Sequence, residues 1–306
     1  MNSKPRDVLF LAPITTPLLV SLVLILLSVS GKLLANKQSD DNVFLLISVI
    51  QLIVFIFPCV LYYFIKGRRL STPMFVSAVK PGQFLFLLFS FLVMITGTIL
   101  IKYFYFMKTG ITPSEVNFFV SGIESDESTS ILEIIVAFVL VPAICEELFF
   151  RGVVLSEYRA FGSFTAVVFS AVCFSLAHFS FEGFPIYFFN GIILGVCAVV
   201  CRSVFAPILV HVGSNLLSIY ASDLFLRVTI QKCGSFFVFF VLTTVFLLSL
   251  ILMLSRTENI FWNRSENPPK NEAPSSGGAL AGLKIVFMSP AFFVLLFVFV
   301  IITILI

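Results

Sequence analysis

Long apolar segments separated by short polar links make up most of this chain of 306 residues. Nine such segments can be distinguished, at roughly 8–29, 43–65, 84–107, 131–150, 163–181, 186–201, 204–221, 235–254 and 284–306. Most approach the roughly 20 residues that an α-helix needs to cross about 30 Å of hydrocarbon. Because lipid offers no partner to unpaired backbone groups, each segment should be a helix. The pattern therefore predicts an all-α, polytopic transmembrane helix bundle of about eight to nine spans.

The composition agrees with this prediction and excludes a soluble protein. Hydrophobic residues make up 59% of the chain and charged residues 11%, whereas a soluble domain carries roughly 25% charged residues. The mean hydropathy is +1.10. The net charge of +3 is small, and no basic cluster with interleaved aromatic residues indicates a nucleic-acid partner. We expect the lipid bilayer to surround the protein.

The polar links predict the orientation and three regions. Lys66, Arg68 and Arg69 follow the second span, and an acidic link follows the third, so the positive-inside rule places the N-terminus in the cytoplasm. We divide the chain into N-terminal transmembrane helices at 1–129, a core at 130–225 and C-terminal helices at 226–306. A turn-rich stretch at 256–283 is interpreted as a flexible linker to the last span.

Ionisable residues inside the spans concentrate in the middle third of the chain. An ionisable group at mid-bilayer costs roughly 2.5–3.5 kcal/mol on insertion scales, so it indicates a functional site. The fourth span contains Glu146, Glu147 and Arg151. Glu147 and Arg151 are four residues apart and can pair on one helix face, whereas Glu146 points about 100° away. The local pattern fits a structural Glu–Arg pair as well as it fits a catalytic glutamate.

The two histidines of the chain lie on two different spans after the Glu–Glu pair, His178 in the fifth and His211 in the seventh. If the fourth and fifth spans are antiparallel around a turn near residues 161–162, Glu146 and His178 reach the same depth to within a turn of helix. His211 and Asn215 are four residues apart and share a face, which by itself fits an interhelical hydrogen-bonding pair. The coincidence of both histidines with the Glu–Glu pair predicts a polar intramembrane cavity.

Three short motifs carry a family resemblance: E-E-x-x-x-R from Glu146, F-x-x-x-H ending at His178 and H-x-x-x-N from His211. Together and in this order they resemble the CPBP intramembrane protease family. That family includes the type II CAAX prenyl endopeptidases and their bacterial relatives, the Abi proteins. The resemblance covers roughly residues 130–225. It implies an endopeptidase, acting on a membrane-associated peptide or protein, in a multi-pass protein of a bacterial cell membrane.

The resemblance also implies roles for the six site residues, Glu146, Glu147, Arg151, His178, His211 and Asn215. Glu146 would activate the attacking water with the help of His178, and Arg151 would orient the glutamate pair. His211 and Asn215 would stabilise the oxyanion of the tetrahedral intermediate. The family is described both as metalloprotease and as metal-independent glutamate protease. Glu146, His178 and His211 could hold a divalent metal such as zinc, although no H-E-x-x-H helix is present.

Two other functions use the same residues differently. Members of the same family are proposed to act as non-proteolytic membrane scaffolds or bacteriocin-immunity proteins, in which the polar cluster would be structural. A proton- or ion-coupled transporter also buries carboxylates and histidines. A transporter relay would spread its carboxylates over the depth of the bilayer, whereas Glu146 and Glu147 lie on one turn.

Overall fold

The fold is seen in a computed structural model that describes residues 5–35, 43–66, 77–110, 130–230, 235–262 and 276–305. These residues form helices with no strand among them. The first three are α1 (Pro5–Ala35), α2 (Val43–Lys66) and α3 (Phe84–Thr109). A broken helix, α4, covers residues 131–158. The remaining helices are α5 (Ser163–Leu176), α6 (Phe184–Cys201), α7 (Phe205–Ile230), α8 (Ser235–Trp262), α9 (Ser276–Phe287) and α10 (Pro290–Leu305).

The nine apolar segments are largely helical, which confirms the all-α fold class, and the predicted count of eight to nine spans is somewhat higher than the number of long apolar helices in the described residues. Five helices in the described residues are long and apolar enough to cross a membrane, or six if α9 and α10, bent by 59°, form one span. The difference has a physical cause. Apolar α5 is 14 residues long, and α4 is broken into short α-helical and π-helical pieces. The protein is an integral membrane protein with several spans.

Helix α4 alternates between α-helical and π-helical pieces. The π pieces are Val136–Leu140 and Leu148–Leu155, and Val141–Glu147 between them is α-helical. Pro142 lacks the N–H that a regular helix would donate to the carbonyl of Phe138, which accounts for irregular structure at this point. Single-turn π segments inside helices frequently occur at functional sites. Buried Glu147 and partly buried Glu146 thus lie between two local departures from α-helix.

Side-chain hydroxyls donate to backbone carbonyls in the second π piece of α4. Ser170 of α5 donates from its hydroxyl to the carbonyl of Phe150 at 2.9 Å, and Ser156 donates to the carbonyl of Arg151 at 3.2 Å. In a membrane such hydroxyl donors are what makes a helix break tolerable. The shape of α4 therefore depends on its neighbours.

Helix α4 lies at the centre of the bundle, packed against α2, α5, α6 and α7. Helices α5 and α6 approach closely because Gly191 faces Ala171. A Cβ atom added at Gly191 would lie 2.9 Å from the Cα and Cβ atoms of Ala171. Gly195, one turn later, meets Val167 at 3.0 Å in the same way. The small-x-x-x-small pattern of this helix thus serves close helix packing.

The predicted flexible linker at 256–283 is partly helical. Helix α8 continues to Trp262 because Ile260, Phe261 and Trp262 prolong its apolar sequence, and α9 begins at Ser276. Both ends of the predicted linker are therefore helical, and its middle, 263–275, lies outside the described residues. Most charges that predict the orientation, including Arg68, Arg69 and the acidic link after α3, also lie outside them, so the orientation stays a prediction.

Gly191→Ala should lower the free energy of unfolding by about 1–3 kcal/mol, because the added methyl group overlaps the backbone of Ala171. Thermal unfolding in detergent can be followed with a thiol-reactive dye, since the five described cysteines are buried and free. Gly82→Ala is the matched control, because a Cβ there meets nothing within 4 Å. Equal unfolding temperatures for the two variants would contradict the close approach.

Candidate active site

The predicted pair on α4 is present and completely buried. Arg151 Nη1 donates to Glu147 Oε1 at 2.7 Å, and both side chains have 0% exposure. The pairing follows from the spacing of four residues, which places the two side chains on one helix face. Arg151 also donates from Nη2 to the carbonyl of Gly191 at 3.1 Å. The guanidinium therefore connects the glutamate of α4 to the backbone of α6.

His211 of α7 contacts the same carboxylate oxygen. Its Nδ1 lies 2.9 Å from Glu147 Oε1, and the histidine is 7% exposed. A carboxylate can only accept, so Nδ1 carries the hydrogen and Nε2 is the atom left for other partners. A carboxylate that fixes the orientation of an imidazole in this way is a recurring arrangement in hydrolase active sites. Glu147 thus holds one side chain on its own helix and one on α7.

His178 follows directly after α5, with its ring fixed on three sides. Its Nδ1 lies 2.8 Å from the carbonyl of Phe174 and donates to it, so Nε2 can accept a hydrogen bond. Tyr187 stacks on the imidazole with ring centroids 3.8 Å apart, and Phe174 lies 4.7 Å away. The next residue, Phe179, has a φ of 48°, a conformation that bulky residues rarely adopt. Such backbone strain concentrates at functional sites.

The ring of Phe174 is the surface on which these groups meet. Arg151 Cζ lies 4.7 Å from its centroid, a cation–π contact, and the imidazole of His211 is 5.9 Å away. Because His178 lies in the turn just after α5 and is bonded to the carbonyl of Phe174, the contact of Phe174 with Arg151 brings His178 to the level of the glutamates. This arrangement agrees with the depth expected for antiparallel α4 and α5.

Glu146 differs from Glu147 in its surroundings. It interacts electrostatically with Glu147, Arg151 and His211, so it belongs to the same cluster. Its Oε2 atom is buried and has no hydrogen-bond partner among the described residues, as is also true of Glu147 Oε2 and Arg151 Nε. Buried polar atoms are nearly always paired, and each exception calls for an explanation such as a catalytic role. The two glutamates differ in their other oxygen: Glu147 Oε1 is held by Arg151 and His211, whereas no hydrogen bond to Glu146 is seen among the described residues. Glu146 is therefore the carboxylate with more capacity left for a substrate or a water.

Asn215 does not join this hydrogen-bonded group. Its Nδ2 donates to the carbonyl of Phe138 at 3.5 Å, a long and weak bond. Phe138 is four residues before Pro142, so this carbonyl is the one that loses its regular α-helical donor. Asn190 of α6 is not part of this group either: it accepts from the hydroxyl of Thr98 at 2.9 Å and so connects α6 to α3.

Several contributors were missed by sequence reasoning. The stacking of Tyr187 on His178 could not be predicted from the spacing of the motifs, because it depends on how α6 packs against α5. Glu157 was also overlooked. It is 1% exposed, its Oε1 accepts from Lys66 Nζ at 2.6 Å, and its Oε2 accepts from Tyr62. Its position two turns after Arg151 on an apolar helix was a usable signal. This second buried carboxylate connects α2 to the end of α4.

The donors do not form a ready metal site. Within the described residues, no group of three or more His, Cys, Asp or Glu side chains is arranged to hold a metal ion. Of the atoms that could ligate, Nδ1 of His178 and Nδ1 of His211 are both committed to protein acceptors. Ligation of a metal by Glu146, His178 and His211 stays a prediction.

Comparison with known proteins gives one match. Residues 128–217 match the family described as "Type II CAAX prenyl endopeptidase Rce1-like". The matched segment covers α4 to the middle of α7 and contains all six predicted site residues. The expected family is thus confirmed for this segment, and because it is a family of proteases the match supports a peptidase. Searches of curated proteins and of solved structures returned no significant match.

Arg151→Met should lower the free energy of unfolding by about 3–5 kcal/mol, because it leaves the charge of Glu147 buried with one donor fewer. The double variant Glu147→Gln/Arg151→Met should lose less than the single variant, since no charge is then left unpaired. Unfolding of both variants in detergent tests this. Equal losses would mean that the pair contributes only packing.

Proposed function

We propose that this protein is an intramembrane endopeptidase that hydrolyses a peptide bond of a membrane-associated protein. The observation that carries the proposal is the division of labour between adjacent glutamates. Glu147 is held by Arg151 and His211, while Glu146 keeps a buried oxygen without a partner in the same cluster. The match of residues 128–217 to a protease family supports the same function.

In the proposed mechanism Glu146 acts as general base. It takes a proton from a water molecule while the oxygen of that water attacks the carbonyl carbon of the substrate. His178 accepts a hydrogen bond from the water at Nε2, since its Nδ1 donates to Phe174. When the tetrahedral intermediate collapses, the proton held by Glu146 passes to the leaving amine, and the C–N bond breaks. Atoms and charges balance without a cofactor.

Stabilisation of the oxyanion is assigned to His211 and Asn215. A His211 that carries protons on both ring nitrogens can donate from Nδ1 to Glu147 and from Nε2 to the oxyanion. Asn215 lies one helical turn further along α7, and its amide has two hydrogens, one of which is used by Phe138. Donors directed at a developing oxyanion typically contribute 10²–10³-fold to kcat.

The substrate class follows from the matched family and from the position of the site within apolar helices. We propose a CAAX-type substrate, a peptide whose cysteine carries a prenyl group that the surrounding lipid can accommodate. The N-terminus is proposed to lie in the cytoplasm. The scaffold or immunity function is the competing hypothesis, and no described contact favours it.

Glu146→Gln should reduce cleavage by about 10²–10⁴-fold, the usual contribution of a general base, with no change in unfolding temperature. The assay uses protein in detergent and a fluorogenic peptide ending in an S-farnesylated C-a-a-X sequence, beside the same peptide without the prenyl group. Glu133→Gln is the matched control, because Glu133 is exposed on the same helix. Cleavage by Glu146→Gln at the parent rate would refute the glutamate mechanism. Absence of cleavage by the parent, with partner binding retained by Glu146→Gln, would favour the scaffold function.

Asn215→Leu should reduce kcat by about 10²–10³-fold while KM changes little, because an oxyanion donor acts in the transition state. The contact with Phe138 predicts an additional, modest decrease in unfolding temperature. Steady-state kinetics with the same peptide separates the two effects. An unchanged kcat with a lowered unfolding temperature would assign Asn215 to support of α4 alone.

A further inference from the structure

Gln51 is a polar residue in the middle of the apolar helix α2. It is 4% exposed, and its Oε1 atom is buried with no hydrogen-bond partner among the described residues. Burying an amide without a compensating hydrogen bond costs free energy. The cost is greater inside a membrane, because the lipid provides no water that could take the place of the missing partner. Polar side chains inside spans usually face the bundle interior and serve a substrate or ion pathway. Gln51 has no part in the mechanism described above.

The face of α2 that carries Gln51 points toward α4. Ile47, Val54 and Phe55 are the residues four before, three after and four after Gln51, and all three are buried, so they share its face. The ring of Phe55 contacts those of Phe149 and Phe150 on α4, at 6.2 and 6.0 Å between centroids. Ile53, two residues further on and therefore about 200° around the helix, is 57% exposed and lies on the opposite side.

The depth of Gln51 follows from the register between α2 and α4. These helices run parallel, because Phe44 contacts Phe138 near one end and Tyr62 bonds Glu157 near the other. The ring contacts of Phe55 lie between these points. Each of these contacts joins residues about 94 or 95 positions apart in the chain. The same register places Gln51 level with Cys145 and Glu146.

We infer that Gln51 is a substrate-binding residue of the site, whose amide oxygen accepts a hydrogen bond from a peptide N–H of the substrate beside Glu146. A peptide entering an apolar site needs protein partners for its backbone groups, because lipid supplies none. An unpaired, buried acceptor at the level of the proposed general base meets this need. The inference rests on the proposed function. It also assigns a part of the site to α2, outside the matched segment 128–217.

A structural glutamine in the same protein shows the contrast. Gln83 has the same exposure of 4%, but its Oε1 accepts from the backbone of Lys80 at 2.9 Å, and its Nε2 donates to the carbonyl of Cys201 at 3.3 Å. Gln83 therefore connects the start of α3 to the end of α6. Gln51 makes no such connection through its oxygen, so replacing it with an apolar side chain of similar shape removes no protein contact of that atom.

The test compares Gln51→Met with Gln83→Met, because methionine is close to glutamine in shape. Each change is introduced separately into the Glu146→Gln variant, which should leave the peptide uncleaved. Binding of the S-farnesylated C-a-a-X peptide is then measured by fluorescence anisotropy. We expect Gln51→Met to weaken binding about tenfold, the effect of one lost hydrogen bond with its partner left unpaired. Its unfolding temperature should be unchanged or higher. Gln83→Met should lower the unfolding temperature and leave the affinity unchanged.

Cleavage by the otherwise unaltered protein provides the second measurement. Gln51→Met should raise KM about tenfold with little change in kcat, as expected for a contact made equally in the ground and transition states. Equal affinity with and without Gln51, no binding of the peptide, or a fall in unfolding temperature like that of Gln83→Met would overturn the inference. If the parent cleaved no peptide but Gln51→Met still weakened binding, the proposed hydrolysis would fail while the binding role of Gln51 stood.

Discussion

The carboxylate of Glu147 is the interaction on which the arrangement of the core depends. Its Oε1 accepts from Arg151 on the same helix and from His211 on α7. Arg151 in turn donates to the carbonyl of Gly191 on α6 and lies over the ring of Phe174 on α5. One buried anion thus connects four helices. Since a buried charge is tolerated only with charged and hydrogen-bonded partners, these contacts must form together.

The pairing of Glu147 decides what its neighbour can do. Adjacent residues on an α-helix point about 100° apart, so side chains that hydrogen-bond to Glu147 do not at the same time hydrogen-bond to Glu146. Glu146 stays within electrostatic reach of Arg151 and His211, yet its Oε2 has no hydrogen-bond partner among the described residues. Two chemically identical residues thereby acquire different surroundings, one held by two side chains and one without such partners in the described part of the chain. The difference comes from neighbouring helices, because both glutamates share one helical turn.

Local features of this site could be predicted from the sequence, whereas contacts between helices could not. The pairing of Glu147 with Arg151 follows from a spacing of four residues, and both histidines stand out because ionisable residues are rare in these spans. An interhelical hydrogen bond of His211 was considered, but its partner, Glu147 on α4, could not be named from the spacing of His211 and Asn215. The bond between His211 and Glu147 depends on how α7 is rotated about its axis and how deep it lies relative to α4. A sequence of apolar residues determines neither. The predicted number of spans exceeds the number of long apolar helices in the described residues for a related reason, since hydropathy does not register the interruptions of α4.

Irregular backbone explains why those contacts concentrate where they do. A regular membrane helix satisfies its own backbone and leaves little for its neighbours to donate to. Helix α4 departs from that pattern around Pro142, and it needs hydroxyl and amide donors from α5 and α7, among them Ser170 and Asn215. The residue after His178, Phe179, is held at a positive φ in the turn that follows the facing helix α5. The helix break and the polar cluster therefore support each other: the break provides acceptors, and the side chains that fill them bring α5 and α7 against the glutamates.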